Sequence, residues 1–518
     1  MAHPRVLKRA NGTRQVQISW GKTAGKRQVE YVGSGRTDEE VELLLVEAWE
    51  RINAGQGVFD LGLEEGHRAG EPLEEVGSRM AVLWDGLEAA YRALGLDEAA
   101  KDRVFRDLVL ARIIEPTSKR AAIERVLPEV GVAAASYRTV SRRLKLYSAE
   151  GFREEIAAAC ARAARLGPAS LLMFDVTNLW FETDKEDEFR IPGYSKERRV
   201  DPIIQIGLLT DATGMPLMIS AYEGNTAETK MMIPTLKKFM ATHGLSEVII
   251  VADAGMISEA NWKAIEAEGF SFILGQRLPH LPYVIEKWQR DNPGTDYEDG
   301  QVWAAREPVG TGKHNRADHV TYYQWKSGRA RRTLDGIDKQ VTKAAAQVAG
   351  RSAVKRNRFI KLEGAAKSIN RELEAKARSL AGLKAYLTNI PNPTPDRVIG
   401  SYQQLYRIEK SFRMAKTDLA ARPVYHHLRE SIEAHLTIVF AAMAVAHWIE
   451  TTTGWSIRKF VTTARRYRTT WIRLGTQTLP AMKPLPDDLR HALNKIHQAA
   501  PQGEGLSDKR CVGSGGFH

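Results

Sequence analysis

Residues 170–176 read Ser-Leu-Leu-Met-Phe-Asp-Val, an apolar run that carries one carboxylate, Asp175, near its end. A continuous run of this kind is typical of a central strand that is buried on both faces of a sheet. A second apolar run, Glu247–Ala252, is followed at once by Asp253. Because adjacent parallel strands bring their carboxyl ends to one crevice, we expect the two aspartates to lie close together.

The segments between and after these runs alternate between strand-like and helical patterns. Pro202–Leu209 and Met215–Tyr222 are strand-like, and the turn sequence Asp-Ala-Thr-Gly that joins them predicts a hairpin. Two helices and a fifth strand are predicted at Thr226–His243, Ser258–Glu268 and Phe270–Leu274. The resulting order, β-β-β-α-β-α-β, predicts an α/β fold with a mixed sheet and helices on its faces.

The segments that precede this core predict a small β/α region at 1–60 and a helical region at 81–164. Residues 5–33 predict a β-hairpin, residues 37–53 a helix and residues 54–80 a linker. Within the helical region, Ser136–Lys145 carries four cations and begins with a good N-cap residue, Ser136. It is either a recognition helix that contacts DNA or an ordinary basic surface helix.

The segments that follow the fifth strand predict an inserted domain and then a return to the core. The insertion, 280–395, combines a β-like part rich in Trp, a Lys/Arg-rich helical part around 340–380 and a strand at Leu383–Ile390. Helices at about 397–418 and 427–450 belong to the second part of the core, which spans 396–450. A helical, basic C-terminal region at 451–500 and a Gly/Ser-rich, disordered tail at 501–518 complete the expected domain order.

Composition narrows the class of protein. The 518 residues are 43% hydrophobic and carry a formal net charge of +12, which indicates a soluble protein with either a polyanionic partner or a solvated basic surface. Two cysteines, Cys160 and Cys511, exclude a disulfide framework and a cysteine-based zinc site. The N-terminus is polar, and the apolar run Leu436–Val445 is too short to span a membrane, so we expect a cytoplasmic protein without membrane contact.

A third carboxylate is expected on the helix Ser401–Lys416. Tyr402, Glu409 and Lys416 are seven residues apart, so in one continuous helix they share a face, which Arg413 also shares. Such a face suits a metal-bound phosphate: Glu409 would bind the metal, and the cations would bind the phosphate oxygens. The alternative is an exposed helix that carries an ordinary Glu409–Arg413 pair.

Clustered carboxylates suggest a metal site. Unpaired buried charges are costly, and hard divalent cations such as Mg²⁺ satisfy them while binding phosphate oxygens. Two such ions about 4 Å apart clamp the attacking and leaving oxygens of a phosphodiester exchange.

Four runs together resemble one known group, the DDE transposases of bacterial insertion sequences whose third acidic residue lies in a Tyr-Arg-Glu-Lys signature. They are Phe174-Asp175-Val176-Thr177, Ala221-Tyr222-Glu223-Gly224-Asn225-Thr226, Val251-Ala252-Asp253-Ala254-Gly255, and the spaced set Tyr402, Leu405, Tyr406, Arg407, Ile408, Glu409, Phe412, Arg413, Lys416. The resemblance is dense over about 165–450.

The resemblance implies a ribonuclease H-like core, with its first part at 165–279, and a metal-binding catalytic triad of Asp175, Asp253 and Glu409. It implies two Mg²⁺ ions as cofactors, with Mn²⁺ as a substitute. Tyr402 and Lys416 match the signature as DNA-binding residues. The signature's arginine position is Leu405 here, and Arg413 is the candidate for the missing phosphate contact.

The implied function is cleavage of insertion-sequence ends followed by strand transfer into target DNA. The implied partners are the terminal inverted repeats and target DNA, bound by a homodimer. The alternatives are a ribonuclease H-like nuclease or resolvase without strand transfer, and a non-catalytic DNA-binding derivative. A basic and aromatic segment at 455–473 adds three candidate DNA-binding residues: Arg465, Arg466 and Arg468.

Overall fold

The computed structural model describes residues 2–9, 12–20, 28–53, 74–167, 170–181, 186–193, 201–226, 228–245, 247–253, 259–309, 316–353, 357–363, 366–421, 428–474 and 477–499. The chain divides into two compact units, residues 1–76 with 471–480 and residues 77–470 with 481–518. The expected disordered tail, 501–518, lies outside the described residues.

The N-terminal unit contains a three-stranded antiparallel sheet where a hairpin was predicted. Its strands and helix are β1 (His3–Lys8), β2 (Arg14–Trp20), β3 (Gln28–Gly35) and α1 (Asp38–Asn53). The sheet order is β1-β2-β3, and Val16 and Ile18 of β2 are buried with residues of α1. The prediction missed β1 because this edge strand is polar and mostly exposed, as edge strands often are.

The predicted helical region is confirmed as a series of seven helices that follows a strand, β4 (Glu74–Arg79). The helices are α2 (Ala81–Ala93), α3 (Leu96–Ala100), α4 (Arg103–Ile114), α5 (Lys119–Ala121), α6 (Leu127–Glu129), α7 (Tyr137–Ser148) and α8 (Glu150–Ala164), with a π-helical turn at Ala122–Val126. Ser136 caps α7 as predicted, because its hydroxyl accepts a hydrogen bond from the Thr139 amide at 3.2 Å. β4 falls in the expected linker, whose residues 54–73 lie outside the described part.

The predicted mixed sheet is confirmed. Its first elements are β5 (Ser170–Trp180), β6 (Ile203–Asp211), β7 (Pro216–Glu223), α9 (Glu228–His243), β8 (Val248–Ala252), α10 (Glu259–Ala267) and β9 (Ser271–Gln276). β5, β6 and β7 pair antiparallel, whereas β5, β8 and β9 pair parallel, which gives the spatial order β7-β6-β5-β8-β9. The central strand, β5, is therefore hydrogen-bonded on both sides.

The segment predicted as an insertion extends this sheet. It contains α11 (Tyr283–Asp291), β10 (Val302–Val309), β11 (Arg316–Trp325), α12 (Ser327–Val348), β12 (Ile360–Glu363), β13 (Ala366–Ile369), α13 (Arg371–Ser379) and β14 (Leu383–Thr388). β14 pairs antiparallel with β9, and β11 and β10 follow, so the complete sheet has eight strands. The expected helix around 340–380 is wrong in part, because the β12–β13 hairpin separates α12 from α13.

The last segment contains two breaks that the sequence did not predict. Its elements are α14 (Pro395–Gln403), α15 (Tyr406–Arg413), a π-helical segment (Met414–Asp418), α16 (Arg429–Thr453), α17 (Ile457–Ala464), β15 (Thr469–Leu474), β16 (Gln477–Met482) and α18 (Asp487–Ala499). The expected helix over 397–418 is therefore interrupted, and the C-terminal region is not all helical. β15 and β16 form a three-stranded sheet in the order β16-β15-β4.

Apolar side chains cover both faces of the large sheet. Along β5, Leu172, Phe174 and Val176 belong to one buried cluster with α9 and α10, while Met173 and Leu179 belong to the other. The second cluster is the larger one and contains most of the buried residues of α16. Successive residues of a strand point to opposite faces, and both faces of β5 are covered, so β5 is a continuous apolar run in the sequence.

The helix α16 is long and apolar enough to cross a membrane by length and composition alone, which the shorter run Leu436–Val445 did not predict. In the structure, 83% of its most apolar 18-residue window is buried inside the protein. This burial is that of a core helix, and it accounts for the apolar composition.

Candidate active site

The two aspartates lie side by side at the point where two parallel strands separate. The parallel register pairs Met173 of β5 with Val251 of β8, and extending it by two residues aligns Asp175 with Asp253. Side chains two residues apart along a strand point to the same face, and neighbouring strands are about 4.8 Å apart. The sheet therefore brings both carboxylates to one place.

One detail of the sequence interpretation is wrong: Asp175 does not end its strand. β5 continues to Trp180 because its antiparallel ladder with β6 runs on, with Asp175 opposite Leu208. Only the parallel ladder with β8 ends near Asp175. The crevice is created by the end of β8, since Asp253 follows the last residue of that strand.

Glu409 lies on α15, a helix of eight residues that is separate from α14. The chain tightens between the two helices, where the Leu405 amide donates to the Tyr402 carbonyl and the Arg407 amide donates to the Gln404 carbonyl. Leu405, only 8% exposed, belongs to the large core cluster. The helical spacing that placed Tyr402, Glu409 and Lys416 on one face therefore does not hold in the structure.

A pocket of about 300 Å³ nevertheless contains the three predicted carboxylates together. The three residues are far apart in the sequence, and the fold brings them to one surface, as predicted. Its other lining residues include Tyr402 and Leu405 of the signature, and two cations that the sequence interpretation did not select, Arg329 and Lys384.

Tyr402 is buried and held on several sides in this pocket. It is 4% exposed, and its hydroxyl donates a hydrogen bond to Oδ1 of Asp253. Its ring meets the Tyr386 ring edge-on, with 5.0 Å between centroids. A Cβ added at Gly275 would lie 2.4 Å from the Tyr402 hydroxyl, so the ring lies where only glycine leaves room. Tyr402 therefore holds Asp253 from a fixed position.

Lys384 and Arg329 place positive charge in the same pocket. The Lys384 ammonium lies 4.3 Å from the centroid of the Tyr402 ring, a cation–π distance. Burial lowers the pKa of Lys384, which the charges of Asp253 and Glu409 oppose and the charge of Arg329 reinforces. Arg329 donates hydrogen bonds to the carbonyls of Gln324 and Gly382, which fix it beside the sheet. The pocket therefore combines carboxylates with cations.

The helix α15 is anchored to the turn between β6 and β7. The Arg407 guanidinium donates to the carbonyl of Ala212 at 3.0 Å, and the Ser411 hydroxyl donates to that of Gly214 at 3.0 Å. Gly214 adopts a φ of +93°, which favours glycine, and lies against Arg407. These contacts position the helix that carries Glu409.

Two signature residues, Lys416 and Arg413, do not belong to the pocket lining. Lys416 lies in the π-helical segment, and its ammonium donates to the Thr177 hydroxyl, two residues beyond Asp175. Arg413 is exposed and does not line the pocket, so its predicted phosphate contact is not brought to the carboxylates. Arg329 and Lys384 are the cations at that place.

The three basic residues predicted near the C-terminus differ in their surroundings. Arg465 donates to the carbonyl of Ile114, and Arg468 donates to the hydroxyl and carbonyl of Ser78 at 2.8 and 3.1 Å. Arg466 is exposed and lines a cavity of about 770 Å³ together with Arg458 and Arg465. The DNA contact of all three stays a prediction.

The chemistry of the three carboxylates fits a hard divalent cation, although the described residues include no group of three His, Cys, Asp or Glu side chains close enough to hold a metal ion. Mg²⁺ commonly binds through one or two carboxylates, with substrate phosphate oxygens and water as its other ligands. The aligned pair Asp175 and Asp253 supplies the first of these, and Glu409 lies across the same pocket.

Sequence reasoning missed four residues that shape this site: Gly275, Arg329, Lys384 and Tyr386. The signal for Lys384 was present, because it is the one cation in the apolar strand β14. Arg329 lies on a helix whose other cations are exposed, and no local sequence signal separates it from them.

Comparison with known proteins gives a family and a distant structural likeness. No curated protein matches the chain. A piggyBac transposase, solved by cryo-EM in a synaptic complex with hairpin DNA, is similar over 83% of this chain and 77% of its own, with 11% identity and a TM-score of 0.37. The family described as the transposase DDE domain matches residues 167–445. Because this match covers more than half of the 518 residues, the chain belongs to the transposase DDE domain family.

Proposed function

We propose that the protein is a DNA transposase that cuts the ends of its element and joins them to target DNA in a metal-dependent reaction. The observation that carries the proposal is the pocket that Asp175, Asp253 and Glu409 share with Arg329 and Lys384, inside the segment that matches the family. Carboxylates that bind metal and cations that bind phosphate are the two requirements of phosphodiester exchange.

We further propose that β5 to β9 form a ribonuclease H-like core. The support is the order β7-β6-β5-β8-β9, with three antiparallel strands followed by two that are parallel to the first. The aspartates at the divergence of β5 and β8 are the two strand-borne acids of such a core. The origin in a bacterial insertion sequence, a cytoplasmic location and a dimer that holds two DNA ends belong to the same proposal.

In this mechanism Asp175, Asp253 and Glu409 would hold the divalent ions, and the ions would supply the positive charge that favours the attacking and leaving oxygens. Tyr402 orients Asp253 through its hydroxyl. Lys384 and Arg329 face the same space and neutralise non-bridging phosphate oxygens. The reaction forms no covalent bond to the protein. Much of the rate enhancement therefore comes from holding the reacting groups in the correct positions.

The test uses labelled element ends, a supercoiled plasmid target and Mg²⁺ or Mn²⁺. The variants Asp175→Asn, Asp253→Asn and Glu409→Gln should each reduce cleavage and joining by at least about 10²- to 10³-fold, the cost of removing a charge-stabilising group. Glu372→Gln, an exposed carboxylate on α13, is the matched control and should keep activity. Unchanged activity in all three variants would disprove the catalytic assignment, and cleavage without joined product would identify a nuclease instead.

A further inference from the structure

A second pocket lies among helices that the function proposed above does not use. It has a volume of about 680 Å³ and is lined by α4, α5, α7 and the start of α16. We call it the α7 pocket. Four of its lining residues are cations, Arg112, Lys119, Arg120 and Lys145, while its one carboxylate is Glu430. Its size is that of a site for a small ligand or one nucleotide unit.

The two inner cations of the α7 pocket are held in an unfavourable environment. Lys119 is 9% exposed, and burial together with the positive charge of Arg112 lowers the pKa of Lys119 to about 7. Burial also lowers the pKa of Arg112 to about 10. Neighbouring charges of one sign disfavour each other's ionised form, whereas an anion between them would favour it.

Other buried arginines of this chain show the contrasting, structural arrangement. Arg106 pairs with Asp107 at 2.9 Å and with Glu88 at 2.7 Å, and Arg153 pairs with Glu433 at 3.2 Å. Among the described residues, no such carboxylate pairs with Arg112, and burial is the cause of the lowered pKa of Arg112. At Arg112 the positive charge is therefore not explained by an internal ion pair of that kind, whereas Arg120 at the rim pairs with Glu124 at 3.2 Å.

The surface around the pocket continues the positive charge outward. Arg138 and Arg142 of α7 are exposed, and Tyr137 is 52% exposed with the Arg120 guanidinium 5.5 Å from its ring centroid. The pocket walls also include apolar side chains, among them Val140 and Leu144. Cations on phosphate, with apolar and aromatic surface for sugar or base, are the combination that binds a nucleic-acid backbone.

We infer that the α7 pocket binds a backbone phosphate of DNA with its attached deoxyribose, and that α7 follows the same strand outward. The inference rests on the proposed DNA substrate and adds a contact surface to it. Arg112 and Lys119 hold the phosphate from within, and Arg120 and Lys145 hold it from the rim. Because phosphate contacts do not read bases, this surface binds DNA of any sequence.

The test measures binding of a fluorescent duplex of arbitrary sequence by anisotropy, in EDTA so that no cleavage occurs, over a series of salt concentrations. Lys119→Gln removes an inner cation, and the double variant Arg120→Gln with Lys145→Gln removes two exposed ones. Arg162→Gln, an exposed cation of α8 outside the pocket, is the control for net charge.

We expect Lys119→Gln to weaken binding by about three- to tenfold and to reduce the slope of log affinity against log salt by about one. The double variant should reduce this slope by about two. Arg162→Gln should leave both quantities near those of the unaltered protein. Unchanged affinity and slope in both pocket variants would overturn the inference. So would binding of a polyglutamate peptide by a protein that does not bind the duplex, because the occupant would then be an acidic protein.

The outcome is separable from that of the proposed function. If the protein binds the duplex through Lys119 but cleaves no DNA with Mg²⁺, the catalytic proposal fails and the α7 pocket stands. If the protein cleaves and joins DNA while the pocket variants bind normally, the pocket inference fails alone. Thermal unfolding of each variant shows whether it is folded, and the exposed double variant carries the test if Lys119→Gln is not.

Discussion

The strand-borne aspartates and the helix-borne glutamate are held in different ways. Asp175 lies within a central strand that is paired on both sides, and Asp253 directly follows the adjacent parallel strand. Glu409 is exposed on a helix of eight residues, between a tight turn and a π-helical segment. Strand pairing holds the strands that carry or precede the first two carboxylates, whereas side-chain contacts hold the helix of the third. Arg407 and Ser411 bind the β6–β7 turn, and Ile408 and Phe412 pack in the core.

This difference indicates a site with a rigid half and an adjustable half. In the proposed mechanism the rigid pair would bind a divalent ion, and the adjustable acid would complete the site when the substrate phosphate is present. It also explains how three carboxylates line one pocket without forming a preassembled metal cluster among the described residues.

The largest expected effect comes from changing carboxylate length on each half. Asp253→Glu moves a carboxylate that Tyr402 and the sheet hold in place, so we expect a loss of about 10³-fold in cleavage. Glu409→Asp moves one whose helix can follow, so we expect a loss of only about tenfold. Cleavage rates with labelled ends measure both, and equal losses in the two variants would remove the distinction between the halves.

The second effect tests the support of the rigid half. Gly275→Ala places a Cβ against the Tyr402 hydroxyl and ring, at 2.4 to 2.9 Å, so the ring must leave its place beside Asp253. We expect a loss of about 10² in cleavage and a cost of about 1–3 kcal/mol in the free energy of unfolding, because the site is overpacked.

Gly336→Ala is the matched control, since a Cβ at that position of α12 meets no atom within 4 Å. It should keep activity and slightly raise stability, by about 0.5–1 kcal/mol, because alanine favours a helix over glycine. If both glycine variants behaved alike, crowding of Tyr402 would not explain the effect of the first.

The third effect isolates the hydrogen bond from the ring. Tyr402→Phe keeps the ring against Tyr386 and removes only the hydroxyl that donates to Asp253. The expected loss in cleavage is about tenfold, the worth of one hydrogen bond to a charged group. Activity equal to that of the unaltered protein would show that Tyr402 supports the fold and does not orient Asp253.

The rigid half could be predicted from the sequence because its signals are local. An apolar run indicates a buried strand. A carboxylate within or directly after such a run, as with Asp175 and Asp253, is costly to bury and therefore indicates a functional role. Even there the limit of β5 was wrong, since the antiparallel ladder with β6 continues the strand beyond the acid. Only the partner strands determine where such a strand ends.

The adjustable half could not be predicted by the same means. The spacing of seven between Tyr402 and Glu409 suggested one helix, but the burial of Leu405 and the turn before it divide that helix in two. The cations of the pocket come from the extension of the sheet, at Arg329 and Lys384, far from the signature in sequence. Long-range pairing of β14 with β9 places them, and no local pattern reports it.

The smallest effect tests the anchor of the adjustable half. Ser411 is 5% exposed, and its hydroxyl donates to the carbonyl of Gly214 at 3.0 Å and to that of Arg407 at 3.2 Å. Ser411→Ala removes one of the two hydrogen bonds between α15 and the β6–β7 turn and keeps that of Arg407, which should cost about 1 kcal/mol in the free energy of unfolding. If the helix adjusts when substrate binds, cleavage should fall only about threefold, far less than after Gly275→Ala. Chemical denaturation and cleavage rates measured on the same preparation decide the point. A loss of cleavage as large as that of Gly275→Ala would mean that α15 is as fixed as the sheet, and the two halves of the site would then be one rigid unit.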